Sequence, residues 1–352
     1  MTTALAIVFV FGLMIMVHEF GHYIVARWNG IRVLEFSFGF GPKLFGYQGK
    51  ETLYALRLVP LGGFVRLYGM DPERDADGQP VIAPAEDTHS YMNKKVWQRM
   101  AVIAAGPIMN ILLAAVLFMG VFVFVGIPAQ GTENIVGSLV QGKPADQAGI
   151  QPGDRITSVN GQPTLDWEGL TTEIHSRPQE DIELTIERNN QTQILQITTE
   201  KDAETGYGMI GIAPDVVYQR TSVPEAVRYG LQRTYEFTKY IIIALVEMIT
   251  GQIPADVGGP VAIAKVIGDG AEQGWADLLG LTGVLSIQLG LLNLFPIPAL
   301  DGSRLVFLAV EGVRGKPLKP ERENFIHLVG FVLLLAAMLA ITYRDIMRFF
   351  VH

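Results

Sequence analysis

Residues 18–22 read His18-Glu19-Phe20-Gly21-His22, and they close an apolar run, Ala4 to Val17, that carries no charged residue. Two histidines at i and i+4 fall on one face of a helix, so both imidazoles can reach one metal ion. A glutamate beside them is the group that takes a proton from a metal-activated water. In most zinc hydrolases with this pattern the helix lies in a water-soluble core. Here the flanking run sets a water-using site at membrane depth.

Bulk composition agrees with a membrane protein that has a soluble part. Of the 352 residues, 49% are hydrophobic and only 18% charged, against about a quarter charged in a soluble domain. The net charge of −8 comes with no basic block, which argues against nucleic acid as a partner. With no cysteine, disulfides, thiolate-bound zinc and thiol catalysis are excluded. The N-terminus lacks a basic n-region and a small-residue cleavage site and holds the metal motif, so its removal is not expected.

Four stretches have the length and character of membrane helices: Thr3 to Trp28, Met100 to Ile127, Leu278 to Phe295 and Phe325 to Tyr343. A span needs roughly 20 residues, so the third is marginal. Gly106-Pro107 should kink or begin the second, and Asn110 is a polar residue at membrane depth. The segment Arg27 to Arg99 carries ten Lys/Arg and Gly302 to Arg322 carries five. The positive-inside rule makes both cytoplasmic and both chain ends outward-facing. At a rise of about 1.5 Å per residue, His18 lies nearer the cytoplasmic side.

Residues 128 to 215 differ in kind, with five Lys/Arg against fourteen Asp/Glu, a net of −9. Asp181 to Glu187 alternates polar and apolar residues, as a half-buried strand does. Gln191 to Thr199 resembles its partner, with Asn189-Asn190 as the turn. This is a small β-rich domain on the outer side. Pro224 to Ile249 then reads as an amphipathic helix. Either Tyr240 to Thr250 is a fifth span, short and holding Glu247, or the helix lies on the membrane surface, the reading we favour.

The pentapeptide is joined by Asn293-Leu-Phe-Pro296-Ile-Pro298-Ala-Leu300-Asp301-Gly302 at the end of the third helix. Further pieces are Gly39-Phe40-Gly41-Pro42, Pro60-Leu61-Gly62-Gly63-Phe64-Val65, and Ala105-Gly106-Pro107 with Asn110. Together they resemble the site-2 protease family of intramembrane zinc metalloproteases, and within it the regulator-of-sigma-E protease group. One departure stands out. The space between the second and third helices fits a single PDZ domain rather than two. Gly142-Lys-Pro-Ala145 to Ile156, with Val159-Asn160-Gly161, is similar to the family's PDZ stretch. The peptide-binding loop then matches Gly208-Met209-Ile210-Gly211, at the far end of the domain, which implies a circularly permuted module. It would bind a peptide end or filter by size.

The fold class implied is a polytopic α-helical membrane protein with about four transmembrane helices, a re-entrant β-loop and one extracytoplasmic α+β PDZ domain. The order is a first helix with the histidine motif (1–28), a cytoplasmic-side loop with the β-hairpin (29–99) and a second helix (100–127). The PDZ domain (128–215) and a membrane-surface helical region (216–274) follow. A third helix with the third metal ligand (275–302), a cytoplasmic loop (303–324) and a fourth helix (325–345) complete the chain.

The resemblance makes His18, His22 and Asp301 the ligands of one zinc ion per chain, and Glu19 the general base and acid. Three ligands leave the open position that a catalytic site needs. Ionisable groups in an apolar helix are costly enough that function is the default reading. Asn293 either contacts the substrate backbone or caps backbone freed by Pro296 and Pro298; those prolines would break the helix so that Asp301 turns back to the metal. Gly39 and Gly41, on a β-loop over Val33 to Leu67 that captures extended substrate by β-addition, and Pro296, at the end of the third helix, are read as substrate-binding; the loop's alternative is a plain cytoplasmic hairpin. Asn110 reads equally as helix–helix glue or active-site support, and His327 as a packed or interfacial histidine without a partner.

The implied activity is endoproteolysis of the membrane segments of single-span membrane proteins in regulated intramembrane proteolysis. Anti-sigma-factor-like proteins and remnant signal peptides are the implied substrates. They would be cut after an upstream site-1-type protease has acted, in a bacterial inner membrane. Oligomeric state is not readable. Two competitors are a PDZ adaptor with a structural or dead metal site and an ion-using transporter. Only three ligands are visible where a structural site wants four, and the internal repeats of a transporter are absent.

Overall fold

In a computed structural model the described residues are 2–70, 73–74, 80–81, 84, 86–131, 133–202, 205–253, 258–317 and 320–348. Parts of the expected segments 29–99, 128–215, 216–274 and 303–324 fall outside them. The chain forms two compact units, residues 125–222 and the two stretches that flank them.

The larger unit begins with helix α1, Thr3–Trp28. Two long strands follow, β1 (Val33–Gln48) and β2 (Leu53–Leu67). Antiparallel pairing runs from Val33↔Leu67 to Phe38↔Gly63, and again from Lys43↔Arg57 to Gln48↔Leu53, while residues 35–38 also flank 53–56. Two strands thus double back into a four-segment sheet. The bend falls at Gly39 and Gly41, with φ of 87° and 85°. That is left-handed backbone, which glycine takes without a Cβ penalty.

Helix α2 (Val96–Phe124) contains Pro107 and packs along α1. Lipid tails are as apolar as leucine, so membrane helices gain little from hydrophobicity and associate through close backbone approach. Gly21 provides that approach here: a Cβ on it would lie 2.4 Å from the Ala105 carbonyl oxygen. The second glycine of this kind, Gly290, sits 2.7 Å by the same measure from the Pro107 carbonyl oxygen. It belongs to the helix Trp275–Leu294.

The smaller unit holds two short helices, α3 (Pro144–Gln147) and α4 (Trp167–His175). Its main sheet orders Gln191–Thr198, Asp181–Arg188, Arg155–Val159 and Gln162–Pro163. Pairing from Gln191↔Arg188 to Thr198↔Asp181 needs the two-residue turn at Asn189-Asn190, whose φ values are 51° and 61°; both signs are those of a type I′ turn. Alternation buries Ile182, Leu184 and Ile186 against Val136, Ile156 and Leu170. The ends of the unit meet, because Ile127–Gln130 pairs with Val216–Gln219.

Back in the larger unit, α5 (Val223–Ile249) meets α2 where Gly230 abuts Met119 and Phe237 stacks on Phe118 at 5.7 Å. Helix α6 (Pro260–Gln273) packs on α1 and then α7 (Trp275–Leu294) lies on α2. The expected third helix, Leu278 to Phe295, corresponds to α7, which stops at Leu294, where Phe295 turns extended; the rest of the 275–302 segment lies beyond that helix. The stretch after 302, read as a loop, is largely helix α8 (Asp301–Arg314). Helix α9 (Pro320–Ile346) completes the chain.

Among the described residues four helices are long and apolar enough to cross a membrane: Thr3–Trp28, Val96–Phe124, Trp275–Leu294 and Arg322–Ile346. With its charged residues, α5 is not among them.

Candidate metal centre

The α-helical rise and 3.6-residue turn set His18 and His22 one above the other on α1. Their Nε2 atoms lie 3.2 Å apart. From the opposite side, Asp301 Oδ2 comes to 3.1 Å of His18 Nε2 and 3.3 Å of His22 Nε2. Close as it is, Oδ2 is buried and makes no hydrogen bond of acceptable geometry among the described residues. The three donor atoms form a nearly equilateral triangle with sides of 3.1–3.3 Å. Metal–ligand bonds of about 2.0–2.1 Å would put tetrahedral ligands roughly 3.3–3.4 Å apart, so this donor set fits a zinc ion.

The histidine tautomers agree with that use. His22 Nδ1 lies 2.8 Å from the Val102 carbonyl, which only accepts, so Nδ1 carries the proton and Nε2 is bare. His18 Nδ1 faces the Asn110 side-chain amide at 3.4 Å. Asn110 Oδ1 is otherwise buried without a partner. A half-turn of the amide, which X-ray-scale geometry does not distinguish, lets Oδ1 accept from His18 Nδ1 and leaves its Nε2 free. Ser286 on α7 donates to the Asn110 carbonyl at 2.8 Å. The Asn110 side chain therefore faces His18, while its backbone carbonyl, which any residue would supply, ties α2 to α7.

Asp301 reaches the histidines because the chain reverses sharply after α7. A Cβ on Gly302 would lie 2.1 Å from the Phe295 carbonyl oxygen and 2.4 Å from that of Leu294, so only glycine fits. Asp301 opens α8 rather than ending α7. An unforeseen constraint comes from Gly106: a Cβ there would sit 2.3 Å from His22 Nε2 and 2.8 Å from His18 Nε2. The Ala105-Gly106-Pro107 piece carried that signal, but its reason is visible only in three dimensions.

Glu19 points toward the sheet. The Val65 backbone N–H donates to its carboxylate, and its Cγ lies 3.6 Å from where a Gly63 Cβ would be. The 63–67 segment of β2 thus lines the centre. Gly39 and Gly41 sit elsewhere: they make the bend of β1, where Gly39 lies against the Val59 carbonyl. The structure does not bring them to the metal ligands. Asn293 is half-buried on the last turn of α7, and Pro296 is exposed in the α7–α8 connection. His327 is corrected: its Nδ1 accepts from the Ala299 N–H at 3.0 Å, so it has a partner.

In the smaller unit the Gly208 to Gly211 loop is built in. Gly208-Met209 pairs with Glu200-Lys201, and Ile210 is buried. The Ile210 and Gly211 carbonyls accept from Ala145 and Val140 N–H, each at 2.9 Å. Beneath the sheet, Arg188 donates to both carboxylate oxygens of Asp154 at 2.6 Å. Burial alone would raise the Asp154 pKa; Arg188 and the Gln151 N–H overcome it and hold the carboxyl below its usual range.

Comparison with known proteins gives three findings. The model of the family described as Peptidase family M50 matches residues 6–337. The regulator of sigma-W protease RasP of Bacillus subtilis is 32% identical, covering 99% of this chain and 99% of its own. Zinc metalloprotease RasP of Bacillus licheniformis is 33% identical, with 99% and 100% covered. Among solved structures, the PDZ domain of an SdrC-like protein from Listeria monocytogenes is 21% identical over 26% of this chain and 93% of that domain, with a TM-score of 0.22.

Proposed function

The chain belongs to peptidase family M50, and on that premise we propose that it is an intramembrane zinc endopeptidase. One observation carries the reading: two imidazole nitrogens and a carboxylate oxygen converge within 4.8 Å beside a glutamate, the histidines and the glutamate on a helix apolar enough to span a membrane. His18, His22 and Asp301 hold one zinc ion per chain, and Glu19 is the catalytic acid–base. When bound, zinc supplies Lewis acidity toward the scissile carbonyl and acidifies water. Glu19 takes the proton of the attacking water and passes it to the leaving amine. Asn110 and the Val102 carbonyl hold the two imidazoles in the ligating tautomer.

The substrate is a helical membrane segment, whose peptide bonds are shielded until it is extended. The 63–67 segment beside Glu19 supplies a strand edge for that step. Asn293 and the turn at Pro296, shortly before Asp301 in the chain, contact the extended substrate, while Gly39 and Gly41 shape the β-loop that presents it. Substrates are single-span membrane proteins, such as anti-sigma-factor-like proteins or remnant signal peptides, already trimmed outside by another protease. The B. subtilis relative is named for sigma-W regulation, which supports this class. The Lys/Arg distribution favours an inner-membrane protein with both termini and the smaller unit outside, and the centre toward the cytoplasm. Residues 125–222 act there as a PDZ module that selects trimmed substrates, with Gly208, Met209, Ile210 and Gly211 as its peptide loop.

The test is metal analysis coupled to cleavage of a purified membrane substrate. Glu19→Gln should keep about one zinc per chain and lose cleavage by at least a hundredfold. A Glu19→Gln protein that cleaves at the wild-type rate would sink the mechanism.

A further inference from the structure

Asp301 owes its position to the connection from α7 to α8, and that connection is held from a third helix. Ala299 lies at φ +77°, the left-handed region, and is the one non-glycine residue there among the described residues of the larger unit. A side chain disfavours this conformation, which persists only where its surroundings fix it. Here the fixing group is His327 on α9, whose Nδ1 lies 3.0 Å from the Ala299 nitrogen. Since the backbone N–H donates, Nδ1 is bare and the ring proton sits on Nε2, which faces Glu323 Oε1 at 3.8 Å. Phe307 of α8 meets the ring edge-on at 5.6 Å.

A second, independent contact lies three residues along the same face of α9. Gly330 is pressed on Pro298 so closely that a Cβ would fall 2.2 Å from the proline Cβ and 2.8 Å from its carbonyl oxygen. Glycine is the residue that lets α9 approach this far. His327 and Gly330 therefore clasp two successive residues, Ala299 and Pro298, just ahead of Asp301. Apart from this end and the Asp345 carboxylate, which accepts from the Ala262 N–H at 3.0 Å, α9 is largely uncovered. Its tightest contacts are spent on the metal-ligand turn.

We propose that His327 is a positioning residue for the metal centre: by accepting from Ala299 it locks the left-handed turn that aims Asp301 at His18 and His22. His327 does not itself reach the ligand cluster. The proposal rests on the reading of Asp301 as a zinc ligand, and the readouts below separate the two.

The experiment uses the full-length protein with His327→Leu, which removes the acceptor, and His327→Asn, whose amide oxygen falls near the position of Nδ1. Zinc loss to a chelator should be on the order of tenfold or more faster in the Leu variant, the usual scale for a group that orients a ligand. Asn should restore most of the retention. At saturating zinc, kcat should fall in the Leu variant with KM little changed. In metal-free protein, hydrogen exchange of the peptide containing Ala299 should rise in the Leu variant and not in the Asn variant. Gly330→Ala, which pushes α9 off Pro298 without touching His327, should loosen the same peptide.

An Ala299 amide that exchanges identically in wild type and the Leu variant would overturn the clasp. So would zinc loss that tracks only the fall in melting temperature, with no rescue by Asn. Wild-type protein that binds no zinc, yet shows His327-dependent protection of Ala299, would instead overturn the metal reading and leave the clasp standing.

Discussion

Single atoms decide this centre. Gly106 is the clearest case, because a methyl group would occupy the space of both Nε2 atoms, at 2.3 and 2.8 Å. Neither imidazole can retreat, since His22 is bonded to Val102 and His18 faces Asn110. Gly106→Ala should therefore fold, insert and lose bound zinc, read by metal content per chain. Asp154 makes a pH prediction for the smaller unit. Its folded pKa is depressed by Arg188, so its stabilisation is complete above the unfolded value near 4 and is lost as pH falls through the lower folded value. Asp154→Asn should cost about 2–3 kcal/mol at neutral pH and flatten the acid limb of unfolding. Fluorescence of Trp167, which packs on that core, reports it once the other tryptophans are replaced by Phe.

At the level of elements, the helices were legible where periodicity and apolar length carry the signal. The cores of α1, α2, α7 and α9 lie where the four apolar runs lie. Two helices were not. Helix α6 was merged into a surface region although Pro260 marks its first turn. Helix α8 was taken for a loop because its charges, Arg304, Glu311 and Arg314, were read for orientation rather than for amphipathicity. Arg99 of α2 pairs with Glu311, one charge of α8. The long strands β1 and β2 were visible as alternation, but the doubling of the sheet depends on hydrogen bonds between residues up to 34 apart. Close helix approach gives a further test. Gly290→Ala would set a methyl group 2.7 Å from the Pro107 carbonyl oxygen, forcing α7 from α2 and lowering the melting temperature in detergent by several degrees, as a 1–2 kcal/mol packing loss does.

For the whole molecule, the smaller unit enters and leaves the chain at one place, where Ile127–Gln130 pairs with Val216–Gln219. It can be replaced by a short Gly/Ser linker without stretching what remains. We expect a protein lacking residues 125–222 to keep its zinc and to cut a trimmed substrate at a rate near wild type. It should also cut the untrimmed form, which the intact protein should refuse if the smaller unit selects as proposed. Unchanged refusal of the untrimmed form, followed by gel analysis of the products, would remove the selecting role from this unit.

The sequence alone pointed to the candidate ligand types and to the helix that carries two of them, because a metal motif with a four-residue spacing is a local property of one helix. It also determined that these groups lie at membrane depth, since hydropathy is a sum over neighbours. What only the tertiary structure decided is everything that spans distant residues: that Asp301 comes to 3.1 Å of His18 across 283 positions, that a Cβ on Gly106 would meet both imidazoles, and that His327 accepts from Ala299. Its partner is a backbone N–H, which every residue but proline possesses. No side-chain pattern can announce such a contact; it exists only because α9 packs where Ala299 turns.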